Sequence, residues 1–532
     1  MNKQLVKLPI NAKIAVVGAG VAGLSFSYFL NKLRPDVQIT VLDSSNRCGG
    51  YINSCIIQDG SNREVMVEKG PRTLRGASDG TVMIIDTLKA LNKENTVQYI
   101  ESNSEANRKF LLSVDNKLIQ VPNSPGSLLK FLVSPLGKGV VPGMLGEPFR
   151  EGPDHPGRDE SAHNFITRRF GNEYMSKNIF SAIFHGIYAG DIKELSAKRT
   201  LGALVEMENK HGSLIRAMLH KMSKKKDNDM NKESVLSKDL KVYQQAMNRD
   251  IDELEKLRSQ LVKYPMLGLK NGLETFPKAL TEAITGVPNI RLLTGKSVSS
   301  FKMDKKGKLS LHLSDGEQLN DFDHLRITSN PAIISQMIED STLKDLLQEV
   351  QSNTVLLVNY YLPSKDVVPS FHSFGYLVPQ SNENHEKLLG VIFDSVIEKN
   401  FKPLTPTAEH AFKSSDYTKL TAMLGGHYLN REGPHSVPSR SLIINAVKHA
   451  FSTQLHISDT DLDNAVWQVT VAENCLPQFK VGYDDWLIRI NSLFTKDYGK
   501  HVSLGGMAFS KGPGVPDVVV DGFDDALALS KT

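Results

Sequence analysis

The chain has 532 residues, of which 40% are hydrophobic and 23% are charged, so it is long enough to form two or three domains with separate hydrophobic cores. This composition excludes disordered and collagen-like proteins. The net charge of +4 is small, and the sequence has neither a zinc-finger cysteine spacing nor a basic stripe with interleaved aromatic residues, so neither a nucleic-acid partner nor a metal site is expected.

The first predicted element is a short apolar strand over residues 14–17, which runs into a glycine-rich turn and then into an amphipathic helix. Gly18 permits the tight turn, Gly20 leaves room for a pyrophosphate, and Gly23 lets the helix pack closely against the strand. The amides at the start of the helix would face the phosphates. This order of elements predicts a dinucleotide cradle, and an ordinary strand-to-helix turn is the alternative.

A second predicted strand, residues 38–42, ends at Asp43, twenty residues after Gly23, which suits an acceptor for ribose hydroxyl groups. After it, a glycine pair that includes Gly50 lets the chain pass close to the pyrophosphate, and Arg47 offers it a cation. Taken alone, Arg47 is equally explained as a solvated loop arginine. The candidate cofactor contacts in these two turns are Gly18, Ala19, Gly20, Val21, Ala22, Gly23, Asp43, Ser44, Arg47, Gly50 and Tyr51.

The Arg-Cys-Gly-Gly run that begins at Arg47 resembles the continuation found in the flavoprotein family of amine oxidases, phytoene desaturases and protoporphyrinogen oxidases. That resemblance implies FAD as the cofactor, bound non-covalently because no cysteine lies near the C-terminal Gly505-Gly506 turn. The block that starts at Glu68 is similar to the turn at which the family's chain returns to the flavin, and its Gly-Pro-Arg run resembles the protoporphyrinogen oxidases in particular. The resemblance adds Gly70, Pro71, Arg72 and Thr73 to the candidate cofactor contacts.

Residues 107–122 predict a hairpin whose first strand carries Arg108 and Lys109 before Phe110. Protoporphyrinogen oxidases resemble this block, with a cation before the aromatic residue that is assigned to a substrate propionate. A strand alternates its faces, so only one of the two cations can point into a pocket. We favour Arg108, because a guanidinium binds a carboxylate through two hydrogen bonds. Lys109 is the rival, and two exposed edge-strand charges are the third possibility.

Residues 122–149 are rich in large apolar side chains, with two lysines, Lys130 and Lys138, and one acid, Glu147. No run of about 18 consecutive apolar residues occurs in the sequence, so this segment is not expected to cross a bilayer. We interpret it as inserting into one face of a membrane, with the lysines at the level of the headgroups. A lid over an apolar pocket is a compatible alternative.

The block from Ile183 to Ser196, which contains Tyr188-Ala-Gly-Asp, is very similar to a motif of protoporphyrinogen oxidases. By this resemblance Gly190 gives an unhindered surface for a flat macrocycle, and a helix end followed by a capping box is the alternative. Pro477-Gln-Phe479 resembles a further block of those enzymes, with Tyr483 where histidine is usual. Histidines such as His427 are interpreted as ordinary surface or core residues.

The resemblance also implies that Val298 holds the adenine through its backbone, and that the C-terminal strand, turn and helix lie over the flavin. It therefore adds Val298, Gly506, Gly514, Val515 and Pro516 to the candidate cofactor contacts. No side chain is assigned a proton-transfer role in catalysis.

The predicted fold class is α/β, with three parts. A discontinuous Rossmann-type FAD-binding domain is expected over residues 1–85, 265–331 and 480–532, and a mixed-sheet substrate domain over 86–122 and 332–479. A mainly helical membrane-associating region is expected over 123–264, with an exposed charged insertion at 221–259 that ends in a surface helix.

The resemblance implies that the chain oxidises protoporphyrinogen IX with oxygen, through hydride transfer to FAD, and that it works in haem biosynthesis. It also implies a homodimer on one face of the mitochondrial inner membrane, with ferrochelatase as a possible contact. Two alternatives remain. One is another FAD-dependent amine oxidase or desaturase, and the other is an FAD-binding protein without catalytic activity.

Overall fold

The computed structural model describes residues 5–59, 63–153, 157–227, 236–364, 367–368, 372–405, 416–433 and 437–531. Within them the strands are β1 Lys13–Val17, β2 Gln38–Leu42, β3 Ser54–Gln58, β4 Glu64–Glu68, β5 Val97–Ile100, β6 Lys109–Leu112, β7 Leu118–Gln120, β8 Met266–Leu269, β9 Ile290–Leu293, β10 Val298–Met303, β11 Leu309–Leu313, β12 Gln318–Phe322, β13 His324–Ile327, β14 Ser352–Leu362, β15 Gly375–Leu377, β16 Leu388–Ile392, β17 Lys402–Pro403, β18 Thr418–Gly425, β19 Val466–Pro477 and β20 Val502–Leu504.

The α-helices of the same residues are α1 Val21–Leu33, α2 Asp79–Ala90, α3 Pro125–Leu132, α4 Val140–Gly146, α5 Ala162–Phe170, α6 Ser181–Tyr188, α7 Ala197–Thr200, α8 Gly202–His211, α9 Leu214–Asp227, α10 Lys238–Ala246, α11 Ile251–Leu261, α12 Thr275–Thr285, α13 Pro331–Gln336, α14 Ser341–Gln348, α15 Asp394–Asn400, α16 His427–Glu432, α17 Arg440–Leu455, α18 Asp459–Asp463, α19 Tyr483–Tyr498 and α20 Val515–Ser530.

A parallel sheet with the strand order β20-β13-β1-β2-β9 forms the centre of the first layer. Its strands have short apolar sequences because both faces of the sheet are covered. In β1, for example, four of the five residues are buried. Helices α1 and α20 pack against each other so closely that a Cβ on Gly522 would lie 2.7 Å from Ser25 Oγ. The strands come from the three separate segments to which the sequence analysis assigns the FAD-binding domain.

Helix α20 is attached to this sheet by a buried arginine. Arg326, on β13, is fully buried and forms ion pairs with Asp521, at 2.6 Å, and with Asp525 on the helix. Its guanidinium also lies 5.1 Å from the ring centroid of Phe26 on α1. A buried charge is tolerated only when it is paired and hydrogen-bonded, so these contacts fix the helix at one position on the sheet.

The second layer is a mixed sheet with the strand order β19-β14-β18-β16-β15-β6-β7. Every residue of the eleven-residue strand β14 is buried, because β18 and β19 flank it and α17 contributes to the core on one face. The predicted hairpin forms the edge of this sheet, where Phe110 pairs with Gln120. Its first strand, β6, runs parallel to β15, with Lys109 opposite Gly375.

The helices α3 to α9 form a third region, which is held together by a buried ion network. Arg169 and Glu147 are fully buried and paired with each other, and Arg169 also contacts Glu208 at 3.2 Å. The same Glu147 carboxylate accepts hydrogen bonds from the amides of Leu214 at 2.8 Å and Ile215 at 3.1 Å. It therefore caps the start of α9 and joins that helix to the end of α4.

Helices α10 and α11 depart from the sequence expectation. The sequence predicts an exposed charged insertion over residues 221–259 within the membrane-associating region, and residues 228–235 of it lie outside the described residues. In the described part, α10 and α11 pack on α2 and contribute Leu240, Tyr243 and Leu254 to the core of the first layer. Tyr243 also donates a hydrogen bond to Asp86 at 2.7 Å. The high charge density of this segment conceals its packing, because the buried face of each helix uses only a few apolar residues.

We expect Arg326→Met to lower the free energy of unfolding by about 3–5 kcal/mol, since it leaves a buried acidic pair without its cation. Urea denaturation of the FAD-loaded protein measures this. Lys302→Met is the matched control, because Lys302 forms an exposed ion pair with Glu339 at 2.9 Å and its loss should cost about 1 kcal/mol or less. Equal losses in the two variants would contradict the role given to Arg326.

Candidate functional site

The glycine-rich turn after β1 has the geometry of a nucleotide cradle. Gly18 has a φ of +106°, which favours glycine, and its amide donates to Leu42 O at 2.7 Å. A Cβ on Gly23 would lie 1.9 Å from Gly18 O, so the helix could not pack this close with any other residue there. Helix α1 begins after Gly20 with no side-chain cap and no acidic residue in its first turn. Its first amides are therefore left for an anionic ligand, and the turn fits a diphosphate.

The two predicted glycine turns meet each other. Gly20 and Gly49 form a parallel bridge, and the amide of Gly49 donates to Ala19 O at 2.8 Å. A Cβ on Gly50 would lie 3.2 Å from Gly20 Cα, so the second turn also depends on glycine.

Asp43 lies against the same turn, as its spacing from Gly23 predicts. One carboxylate oxygen accepts a hydrogen bond from the Ala19 amide at 2.7 Å, and the other accepts from the Ser45 amide at 2.8 Å. The segment before Val298 runs beside it, because the Lys296 amide donates to Asp43 O at 2.9 Å. Asp43, the proposed ribose acceptor, is therefore adjacent to the segment that leads to Val298, the proposed adenine contact.

The arginines of the two motifs have roles that the sequence did not reveal. Arg47 donates to the carbonyl oxygens of Cys48, at 2.9 Å, and Ile52, at 3.2 Å, and also to that of Gly50, so in this structure its guanidinium braces the second glycine turn. Arg72 forms a buried ion pair with Asp394 and donates to Thr421 Oγ1 at 3.0 Å. Its side chain therefore points into the second layer, and its backbone is the part that remains for a cofactor.

Glu68 is a site residue to which sequence reasoning gave no role. It is buried, accepts hydrogen bonds from Ser54 Oγ at 2.7 Å and from the Leu273 amide at 2.8 Å, and burial raises the pKa of its carboxyl group. It joins the Gly70-Pro71 turn to the block at Gly272. The sequence contained a signal for this role, since Glu68 is the first residue of the block that resembles the family.

The C-terminal segments reach the same edge of the parallel sheet. Gly506 has a φ of +90°, and the amide of Gly505 donates to Ile327 O at 2.9 Å. Helix α20 then begins after Gly514 with Val515 and Pro516, and it has no side-chain cap. Its N-terminal amides stabilise negative charge, which suits the predicted place beside a flavin.

Two motifs that are almost 300 residues apart in sequence contact each other on the other side of the site. Gln478 donates from Nε2 to Tyr188 O at 2.9 Å, and a Cβ on Gly190 would lie 2.4 Å from Gln478 Oε1. Ala189 between them is left-handed, with a φ of +47°, and its carbonyl accepts from the His427 amide and from Asn353 Nδ2. The segment that carries Gly190 is therefore held from both sides.

Arg108 and Lys109 are both exposed at the start of β6. Lys109 Nζ donates to Asn107 Oδ1 at 3.4 Å, and burial, and secondarily Arg75, lower the pKa of its ammonium group. Both cations therefore remain candidates for the substrate anchor, and Lys109, beside Arg75, is the one that we test first.

Comparison with known proteins shows the family to which the chain belongs. The model of flavin-containing amine oxidoreductases matches residues 21–507. A protoporphyrinogen oxidase from Saccharomyces cerevisiae is 50% identical over 538 residues, which covers 99% of both chains. The chain belongs to the protoporphyrinogen oxidase branch of the flavin-containing amine oxidoreductases. The resemblance seen in the sequence is confirmed, and FAD is the cofactor.

More distant relatives also match this chain over nearly its whole length. The human protoporphyrinogen oxidase is 24% identical over 526 residues, covering 98% of both chains. Among solved structures, one from an Exiguobacterium species, provisionally named a protoporphyrinogen oxidase, has a TM-score of 0.71 at 17% identity and covers 98% of this chain and 99% of its own. Cyclohexylamine oxidase from Brevibacterium oxydans has a TM-score of 0.59 at 13% identity, covering 98% and 99%. The predicted α/β fold class is confirmed.

We expect Gly23→Ala to lower the affinity for FAD about tenfold or more, because the added methyl group forces α1 away from Gly18. The flavin absorbance per mole of purified, folded protein measures this. Gly202→Ala is the control, since a Cβ there meets nothing within 4 Å. A yellow Gly23→Ala protein with unchanged FAD affinity would show that the close packing is not needed.

Proposed function

We propose that this chain oxidises protoporphyrinogen IX to protoporphyrin IX, with oxygen as the electron acceptor and hydrogen peroxide as the second product, in the penultimate step of haem biosynthesis. The contact of Tyr188 and Gly190 with Gln478 is the observation that carries the proposal. Both blocks resemble protoporphyrinogen oxidases, and they would be missing from a flavin amine oxidase or a desaturase. FAD, held by the glycine turns, would supply the acceptor for hydride from the meso carbons and return the electrons to oxygen.

The chain's own residues would bind and orient the substrate. Gly190 would contribute only backbone to the substrate site; it is buried, and Gln478 and His427 hold its segment in place through contacts with Tyr188 and Ala189. Lys109, with Arg108 as the rival, would bind a propionate, because each carries a positive charge that attracts a carboxylate. Tyr188 stays neutral, since burial raises its pKa to about 12. Orientation of this kind suits a reaction that needs an aligned ring more than an acid-base pair.

We also propose the cofactor contacts and the three-part domain division set out from the sequence, except that helices α10 and α11 belong to the first layer. The contacts of Gly18 to Gly23, of Asp43 and of the start of α20 support the proposed cofactor contacts. The separate hydrophobic cores of the two sheets support the proposed domain division.

Attachment to one face of the mitochondrial inner membrane is a further part of the proposal. Large apolar side chains are exposed on α3, α4 and the turns beside them, and Phe149 is 84% and Leu145 72% exposed. Lys130 is exposed in the same region, and Lys138 lies over the ring of Tyr174 at 4.5 Å. Helix α9, which Glu147 joins to α4, exposes Met218, Leu219 and Met222 as well. Apolar side chains with nearby lysines suit a lipid surface.

In the described ranges no single helix is long and apolar enough to cross a membrane. The segments Pro125–Leu132 and Pro135–Phe149 pass that test only as a pair, and they are bent by 86° at the break between them. A homodimer and a contact with ferrochelatase on the same membrane are the remaining expectations, and both rest on the family resemblance.

The purified, FAD-loaded protein should convert colourless protoporphyrinogen IX into a fluorescent porphyrin, with peroxide released, and should leave benzylamine unchanged. Porphyrin fluorescence and a peroxide assay measure the two products. Benzylamine turnover would favour the amine oxidase alternative. A yellow protein without turnover of either substrate would favour a non-catalytic FAD-binding protein.

Lys109→Ala should raise the KM for protoporphyrinogen IX about tenfold, because it removes one charged hydrogen bond, and should change kcat little. Arg108→Ala is the matched comparison, one residue away on the same exposed strand end. A larger effect of Arg108→Ala would show that Arg108 binds the propionate, as the sequence predicts. Equal and negligible effects would contradict propionate anchoring at this strand.

Phe149→Glu should weaken binding to vesicles that contain anionic lipid about tenfold or more, since each inserted large side chain contributes about 1.5–3 kcal/mol. Vesicle flotation measures the bound fraction. Leu442→Glu is the control, because Leu442 is a 60% exposed apolar residue on α17 in the second layer. Equal losses in both variants would show that charge, and not this surface, decides the binding.

A further inference from the structure

Arg75 is a cation that follows the turn assigned to FAD, Gly70-Pro71. Its side chain is exposed, and among the residues that the structure describes its guanidinium forms neither an ion pair nor a hydrogen bond. Arg72, three residues earlier, is by contrast already paired with Asp394. The charge of Arg75 is therefore available to a ligand.

The backbone on both sides of Arg75 is fixed. The amide of Leu74 donates to Leu267 O at 2.9 Å, and the amide of Leu267 donates to Leu74 O at 2.8 Å. On the other side, a Cβ on Gly80 would lie 2.1 Å from Pro516 O, so the start of α2 touches the start of α20. Arg75 is thus presented from a turn that two other segments hold in place.

Three groups from other segments lie within electrostatic reach of the Arg75 guanidinium. They are the Lys109 ammonium group at the start of β6, the Tyr188 hydroxyl and the Asp517 carboxylate at the start of α20. Asp517 is the acid of this set, but within the described ranges it forms no ion pair with Arg75 or Lys109. The Lys109 ammonium group donates to the amide oxygen of Asn107 at 3.4 Å. Two cations that share a site in this way attract an anion.

The Tyr188 hydroxyl adds a neutral hydrogen-bond donor to the two cations. The centroid of its ring lies 5.4 Å from that of Phe184 and 6.1 Å from that of Phe479, and its carbonyl accepts from Gln478 at 2.9 Å. Burial raises the pKa of this phenol to about 12, so it keeps its proton at neutral pH. Its oxygen is not enclosed, and it bonds to no atom of the residues described, so it can donate to a bound ligand.

We propose that Arg75 and the Tyr188 hydroxyl form a second carboxylate-binding position, separate from the one at the start of β6. The two positions together would bind the two propionates on one edge of a porphyrinogen. This inference rests on the proposed function and makes its substrate class more specific. A guanidinium binds a carboxylate through two parallel hydrogen bonds, and the phenol supplies a third. The chain would then select tetrapyrroles that carry two neighbouring acidic side chains.

Binding of protoporphyrin IX and of its dimethyl ester to the FAD-loaded protein tests the proposal, because the ester lacks both negative charges. Porphyrin fluorescence in one detergent measures both dissociation constants and does not require turnover. Arg75→Gln should raise the dissociation constant of the diacid about tenfold, through the loss of a charged pair, and leave that of the ester unchanged. Tyr188→Phe should raise the diacid value about fivefold, as the loss of one neutral hydrogen bond predicts.

Arg291→Gln is the matched control. Arg291 is an exposed arginine on β9, at the edge of the parallel sheet opposite β20, and its loss should change neither dissociation constant. Flavin absorbance per mole of folded protein should be the same in all variants. Arg75→Gln combined with whichever of Lys109→Ala and Arg108→Ala raises the KM should show the product of two separate losses, about hundredfold.

Four outcomes would overturn the proposal. They are equal weakening of diacid and ester by Arg75→Gln, equal effects of Arg75→Gln and Arg291→Gln, a double variant that binds as well as one of its single variants, and a loss of flavin from Arg75→Gln, which would assign the guanidinium to FAD. Binding of the diacid that depends on Arg75, in a protein that oxidises no porphyrinogen, would support this inference and contradict the proposed function.

Discussion

The close approach of backbone to backbone at Gly18, Gly20 and Gly23 is the constraint on which the rest of the structure depends. Gly18 O occupies the place of a side chain at Gly23, so α1 sits directly on the strand before it and its first amides remain open. Gly20 in turn touches the second glycine turn. Without these contacts the helix would move outward by about the radius of a methyl group, and the anion site at its N-terminus would lose its position.

Buried ions hold the other parts of the molecule against this cradle. Arg326 fixes the C-terminal helix to the parallel sheet, Arg72 ties the turn after β4 to the second sheet through Asp394, and Arg169 with Glu147 organises the helical region. A buried ion pair adds little net stability compared with apolar packing, but it tolerates few alternative geometries. These pairs are therefore best understood as setting where each layer lies, while the apolar clusters supply most of the stability.

The segment that carries Gly190, which we propose to contact the substrate, is built by a different principle, in which polar contacts fix a left-handed residue. Ala189 is held by His427 and Asn353, and its neighbours by Gln478, so partners from distant parts of the chain fix the position of Gly190. The same His427 residue lies 2.9 Å, between the two Nε2 atoms, from His185.

The sequence by itself determined the dinucleotide cradle, the α/β class, the flavin family and the hairpin at Arg108 and Lys109. These features are local, since glycine spacing, strand alternation and short motifs act over a few residues. Only the tertiary structure decided the directions of Arg47 and Arg72, the burial of Glu68 and the packing of α10 and α11 on the first layer. It also decided the meeting of Gly190 with Gln478 and the pairing of His185 with His427. Each of these depends on partners brought together from distant parts of the chain, and the charge or type of a single residue does not reveal which partner the fold supplies.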